Sequence, residues 1–534
     1  MKIWKAMATP AALAALCWAI GCGSLSSGVV NDRHGNGGGA DAGGSIHPNV
    51  DAGGAADSGI PGHCEHNWDC APNKECVGGT CVLIGEDGGM SDGGGGFDGG
   101  AGDAGASDAG TASPGFPMAY GLVREPGAKD GGAGVDAGNG NERAGSVVRP
   151  AAGGVAVAGR IDSISDSTWI LKLDDTGAIE WQKTYAHGGW EYQTVEMKGT
   201  SDGGFVVVGT GSVADRWGVL VMRLAADGAL SWGFVYAVPG SAVGRSIEVT
   251  PDGGCVVAGE DTAGAWVLKL DAGGAIEWQK SYATGDPATV ARIRRTSDGG
   301  YLVAGSLESA ADRADAWVMK LDAAGAIAWE RRLVSAAAEA FGDAVESGAG
   351  YVAAGYGAGG LLAVRLDAAG AVAWQRSYGG GGYAKALHPV VDGSVVVAGA
   401  GLGLRSDQAG EYDGWLLKLA PDGAIQWQRR YGGGDDDSIS ALAPDGSGGL
   451  VLAGATFRDS ALGDDYWVFR VTPDGSVGGG CGGYGEPTDA TVSAAVLDAR
   501  DGAATAADTA AVPTGVAITV TDTKAISAGV CTAP

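Results

Sequence analysis

From about residue 145 onward the chain alternates short apolar runs with polar, glycine-rich interruptions. Runs such as "FVVVG" (205–209) and "YLVAG" (301–305) are apolar at every position. A strand with one wet face would alternate, so these strands belong to sheets covered on both faces. No stretch repeats its apolar residues at the helical spacing. One unit reads as four strands. "ARIRRT" (Ala291 to Thr296) is the first, and "YLVAG" is the second, with the tight turn "SDGG" between them. Glycine supplies the positive φ that such a turn needs. A variable loop follows. "WVMKLD" from Trp317 is the third strand, "AAGA" turns again, and "IAWERRL" from Ile327 is the fourth.

The unit recurs. A tryptophan in the fourth strand falls at Trp181, Trp232, Trp278, Trp329, Trp374 and Trp427. Twelve residues earlier, in the third strand, stand Trp169, Leu220, Trp266, Trp317, Leu362 and Trp415, and Trp467 begins a last copy. The period is 45 to 53 residues and there are seven copies. Doubly covered four-stranded sheets at this period are what propeller blades require. The expected fold is therefore all-β: a seven-bladed β-propeller of four-stranded antiparallel blades. The seventh copy loses its fourth strand after "YWVFRV", leaving an open sheet edge. "GFPMAYGLV" (Gly115 to Val123), upstream of the first repeat, is the expected donor. "AITVTD" (Ala517 to Asp522) is its rival.

The pairing of "SDGGY-VAG" with "W-KLD-x-G-x-I-x-WQK-x-Y" resembles the Trp-rich repeats of exported bacterial and archaeal β-propellers. The resemblance covers roughly residues 145 to 477. "DDTGAIEW" (Asp174 to Trp181) is also similar to the tryptophan-docking repeat of quinoprotein dehydrogenase propellers. The resemblance implies that each Trp lies flat across the neighbouring blade. The WD40 signature is absent, and kelch repeats place their glycine pair elsewhere.

Composition divides the chain. Glycine accounts for 100 of 534 residues, concentrated before residue 150 among Asp and Ala. Such a stretch cannot bury enough apolar surface to offset its ordering entropy, and a disordered tether is expected. Lys2, Lys5 and the apolar stretch Ala11 to Ile20 read as an export signal, too short for a membrane span. "AIGC" (Ala19 to Cys22) resembles a lipoprotein cleavage site, with Cys22 lipidated. The expected organisation is a signal peptide (1–21), a linker (22–62), a four-Cys module (63–82), a second linker (83–114), the propeller (115–477) and a C-terminal tail or cap (478–534).

Cys64, Cys70, Cys76 and Cys81 suit two disulfides in an exported chain, with three pairings open. Their spacing lacks the close pair that zinc favours, so no metal is expected. The cluster resembles small Cys modules of secreted proteins in social soil bacteria. Cys481 and Cys531 bracket the tail and are expected to pair. Cys255, flanked by Val256 and Val257, reads as a small buried hydrophobe.

The formal net charge of −28 opposes binding to phosphate backbones, so nucleic acid is not an expected partner. The loops between second and third strands vary in length and share one face with the blade connections. That rim is the expected binding face. Its longest loops, at 400–414 and 455–466, offer Arg405, Asp407, Glu411 and Tyr412, and Arg458, Asp464 and Asp465. Asp435, Asp436 and Asp437 lack the alternate spacing of a calcium loop and read as a solvated connection. The propeller holds His187 and His388, without a visible catalytic constellation, and no cofactor is expected. The expected protein is a monomeric lipoprotein at the outer membrane or cell surface of a Gram-negative bacterium. It would bind a protein or glycan through its variable rim. The alternative is a propeller enzyme, quinoprotein-like or carbohydrate-active.

Overall fold

The computed structural model describes residues 74–77, 80–83, 118–122, 142–161, 167–186, 196–213, 216–309, 313–379, 381–404, 410–432, 436–459 and 463–477, and seven short strands between 486 and 529. Cys22, Cys64, Cys70, Cys481, Cys531, His187, Arg405, Asp407 and Asp435 lie outside the described residues. Every described element is a β-strand. Within the unit Ala15–Gly110, strands Lys74–Val77 and Thr80–Leu83 form a hairpin whose register sets Cys76 opposite Cys81.

The larger unit holds seven sheets, and they make a seven-bladed β-propeller. In the third blade, Val243–Val249, Cys255–Glu260, Gly264–Leu270 and Ile276–Ala283 pair antiparallel in chain order. The first strands of the blades are Glu142–Val148, Glu196–Gly199, Val243–Val249, Ala288–Arg295, Ala340–Ser347, Gly382–Pro389 and Asp437–Pro444. Each touches the next, and the seventh touches the first, so they form the inner ring around the axis.

Two local devices explain the repeated motifs. The first is a β-bulge in the first strand, at Gly145, Arg245, Ala291, Gly342, Lys385 and Ser440. It pushes a carbonyl toward the glycine that closes each "VAG" run. A Cβ on Gly259 would sit 1.8 Å from the Val243 oxygen, and one on Gly399 would sit 1.9 Å from the Tyr383 oxygen. Only glycine fits there. The second device ties the two motifs together. Lys269 of "KLD" is buried and meets Asp252 of the "PDGG" turn at 2.9 Å; Lys320 meets Asp298 at the same distance.

The two tryptophans of a repeat face opposite neighbouring blades. Trp169, Trp266, Trp317, Trp415 and Trp467 are fully buried against the preceding blade. Trp266, for example, packs with Val219, Val221 and Tyr236 of the second blade. Trp181, Trp232, Trp278, Trp329, Trp374 and Trp427 are half-buried and lie on the next blade's turn between strands three and four. Trp181 Nε1 donates to Ala226 O at 3.2 Å, and Tyr185 Oη donates to Gly228 O at 2.6 Å. A Cβ on Gly228, at φ +76°, would stand 2.9 Å from the Trp181 ring. Trp278 and Tyr282 grip Gly325 alike, with Tyr282 Oη 2.7 Å from its carbonyl.

Ring closure uses both ends of the unit. Met118–Leu122 pairs antiparallel with the seventh blade's Gly463–Val471 and supplies its fourth strand, as its sequence suggested. The rival segment lies elsewhere: Thr519–Asp522 adds a fifth strand to the first blade. It belongs to a belt formed by the whole tail. Glu486–Pro487, Val492–Ala494, Asp498–Asp501, Thr505–Asp508, Val512–Gly515, Thr519–Asp522 and Ala525–Gly529 edge blades six, five, four, three, two, one and seven in turn. Where a cap was expected, the tail circles the ring against the blade order and covers every outer sheet edge.

Candidate functional site

The axis of the ring is not an empty bore. In blades one, two, three and five, one inner-strand side chain turns toward the next blade's inner strand and takes up its backbone. Ser146 Oγ accepts from Met197 N at 3.1 Å, Glu196 Oε2 from Ile247 N at 3.0 Å, Ser246 Oγ from Ile293 N at 3.0 Å, and Asp343 Oδ2 from Leu387 N at 2.9 Å. Glu196 and Asp343 are thus buried carboxylates with backbone partners. Their charges are met by cations: Arg294 holds Asp343 through two bonds at 3.0 and 2.6 Å, and Lys198 lies 3.1 Å from Glu196.

Arg292 goes further. It belongs to the fourth blade, yet Nη1 donates to Glu196 Oε1 of the second at 2.6 Å and Nη2 to the Lys385 carbonyl of the sixth at 3.2 Å. Neither blade adjoins the fourth, so the guanidinium reaches across the channel. Burial alone would raise the Glu196 carboxyl. Arg292, Lys198, Arg294 and the Ser246 hydroxyl more than offset it and hold the group far below the usual range. Burial, then the Arg294 charge, pushes His388 down.

On the loop side of Arg292 lies a mouth built mainly by blades six, seven and one. Tyr383, Ser438 and Arg143 hold equivalent inner-strand positions, since a Cβ on Gly399, Gly454 or Gly159 would strike their respective carbonyls. Tyr412 opens the third strand of the sixth blade, and its ring lies 6.0 Å from that of Tyr383. The bulge residue Lys385 places Nζ 5.4 Å above the Tyr383 ring. Burial, reinforced by Arg292, pushes the Lys385 ammonium down to about 8. Tyr383 is pushed up to about 12, first by burial and then by Tyr412 and Asp436; Arg143 and the Ser438 hydroxyl act the other way.

Of the rim residues singled out from sequence, Tyr412 comes to this mouth, and its amide donates to Asp436 Oδ1 at 2.8 Å. Glu411 is exposed beside it, with its carbonyl accepting from Gly403 N at 3.2 Å. Asp465 is half-buried in the seventh blade's third strand. The Asp464 backbone pairs with Phe457, Arg458 falls at the register shift between Phe457 and Asp459, and the side chains of both lie outside the described set. The acidic run differs from its expected solvated state at Asp437, which is buried. Its carboxylate and that of Asp413 crowd Gly432, where a Cβ would stand 2.5 and 2.6 Å from them. Cys255 is buried, and burial pushes its thiol up to about 12, which suits an inert core residue. Among the described residues, no group of three or more His, Cys, Asp or Glu is placed to hold a metal ion, and no helix is long and apolar enough to cross a membrane.

No family model matches the chain, and no curated protein matches it. Solved structures do. The Pan2 WD40 domain of Neurospora crassa is 11% identical, with 67% of this chain and 96% of that chain covered, at a TM-score of 0.41. A putative 6-phosphogluconolactonase from Bacteroides uniformis is 13% identical over 58% of this chain and 94% of that chain, with a TM-score of 0.39. A puromycin hydrolase mutant is 15% identical over 66% of this chain and 55% of that chain, with a TM-score of 0.41. Likenesses of this grade say nothing of ligand or activity.

Proposed function

We propose that this protein is an exported, lipid-anchored binding module of the cell envelope, with its ligand at the loop-face mouth over blades six, seven and one. One observation carries the reading. The acids and bases of the channel are engaged in stitching blades together, while the mouth above them keeps two aromatic rings and a lysine in one place. A general acid or base needs a group poised to exchange a proton. Glu196 is instead held ionised by several cations and by a neighbouring amide, which disfavours the enzyme alternative. The anchor rests on Cys22, and the net charge of −28 fits a partner other than nucleic acid.

The test is a binding screen of the full chain against neutral glycans, acidic glycans and envelope extracts, repeated with Tyr412→Ala. A ligand whose affinity falls on that substitution supports the reading. A ligand indifferent to it and to every change in the 400–414 loop overturns it. Cys22→Ser is expected to move the protein from the membrane fraction to the soluble one.

A further inference from the structure

The chemistry of the mouth narrows the ligand, on the proposed reading that the mouth is the binding site. Lys385 and Arg143 bring positive charge to the loop side of the channel, with Asp436 and the exposed Glu411 at its edge. These two cations stand out in a chain of net charge −28. An anion seated between them is attracted by both. Tyr383 and Tyr412, with rings 6.0 Å apart and tilted by 43°, are both partly exposed. Partly exposed tyrosine rings offer apolar faces together with polar tips. The C–H face of a sugar ring suits such a surface, and the Tyr383 and Ser438 hydroxyls supply polar partners near it. Below, Arg292 spans from Glu196 to the Lys385 carbonyl. Arg292 thus lies across the axis as the floor of the mouth, here called the cup. A ligand entering from the loop side meets that floor.

From these features we infer that the cup takes a carboxylate-bearing sugar unit, with its ring against Tyr412 and Tyr383 and its carboxylate at Lys385 and Arg143. Two sources offer this chemistry: the terminal residue of an acidic glycan, and a free sugar acid.

Calorimetry with the full chain tests it, using oligogalacturonate, its methyl-esterified neutral counterpart of equal length, and free galacturonate. The acidic oligomer is expected to bind at least about tenfold tighter than the ester, and more weakly as salt rises. Lys385→Gln should weaken it about tenfold, and Lys385→Arg should restore most of the affinity. Arg216→Ala removes an exposed cation at the start of the second blade's third strand, and should change nothing. Near-ultraviolet circular dichroism checks that each variant is folded, and Tyr412→Ala gives a second route if Lys385→Gln is not. Tighter binding of the oligomer than of free galacturonate points to a glycan end; equal binding points to a free sugar acid. Equal affinity for ester and acid, or acid binding untouched by both Lys385→Gln and Tyr412→Ala, overturns the inference. If a different ligand then binds in a Tyr412-dependent way, the binding-module reading stands and only the ligand class has failed.

Discussion

At the scale of single residues, the bulge glycines are the sharpest case. A Cβ on Gly305 would lie 2.0 Å from the Thr289 carbonyl, and backbone cannot yield as a side-chain tip can. Gly305→Ala should therefore cost more than about 3 kcal/mol in urea unfolding, and a loss under about 1 kcal/mol would show that no bulge presses there. The two tryptophans should separate. Trp266 is fully buried, so Trp266→Ala should cost about 3–5 kcal/mol, while half-buried Trp278 should cost about 2. The turn aspartates give a pH signature. Hydrogen bonding from Thr250, and then from Lys269, depresses Asp252 to about 2; Asp202 is likewise held at about 2. A depressed carboxyl stabilises the fold above its unfolded value, and that share is lost as pH falls toward the folded one. Acid should therefore loosen these turns between about pH 4 and pH 2, and Asp252→Asn should flatten that part of the profile. The sequence displayed these residues openly, because "SDGG", "VAG" and "KLD" recur with fixed spacing. The channel charges stayed hidden. Glu196 and Arg292 stand 96 residues apart, and each looks like an ordinary polar position in its own strand.

The blade was legible at the scale of elements because its strands carry strong apolar contrast. The belt was not, although it has a period. Residues Val492, Ala499, Ala506, Pro513, Val520 and Ser527 stand opposite Tyr378, Leu333, Tyr282, Tyr236, Tyr185 and Tyr120. Their numbers rise by seven each time. The period is set by the step from one blade edge to the next, and the residues are mostly small, so no run of large apolar side chains marks it. The belt covers edges that would otherwise invite pairing with other chains. Ending the chain before Glu486 should expose them. Amides at 280–283, which face Thr505–Asp508, should then lose hydrogen-exchange protection, while those of the buried second strand Cys255–Glu260 keep theirs. Equal loss in both strands would mean that the belt sustains the whole ring. No loss at 280–283 would mean that it does not shield the edge.

For the whole molecule, the seventh blade is where the circle is joined. It gathers Asp437–Pro444, Leu450–Asp459 and Gly463–Val471 from its own repeat, Met118–Leu122 from upstream, and Ala525–Gly529 from the tail. Met118 pairs with both Val468 and Gly529, so Gly529 lies two strands, about 9–10 Å, from Val468. The repeat's last strand bridges onward from Val471 to Val477. The chain thus leaves this blade, circles the ring and returns to the blade it left. Cys481 lies four residues past Val477, and Cys531 lies two past Gly529. A bond between them would close the belt into a covalent hoop, and chain-entropy arguments assign a loop of that length about 4 kcal/mol. Cys255 should not compete, because burial raises its thiol and removes it from reagents. The expected result is that the protein, folded under oxidising conditions, resists alkylation at Cys481 and Cys531 until reduced, and that reduction lowers its melting temperature by several degrees. Cys531→Ser should reproduce that shift and make the protein insensitive to reductant at this site. Alkylation of both thiols in the unreduced, folded protein would show that backbone pairing alone holds the belt.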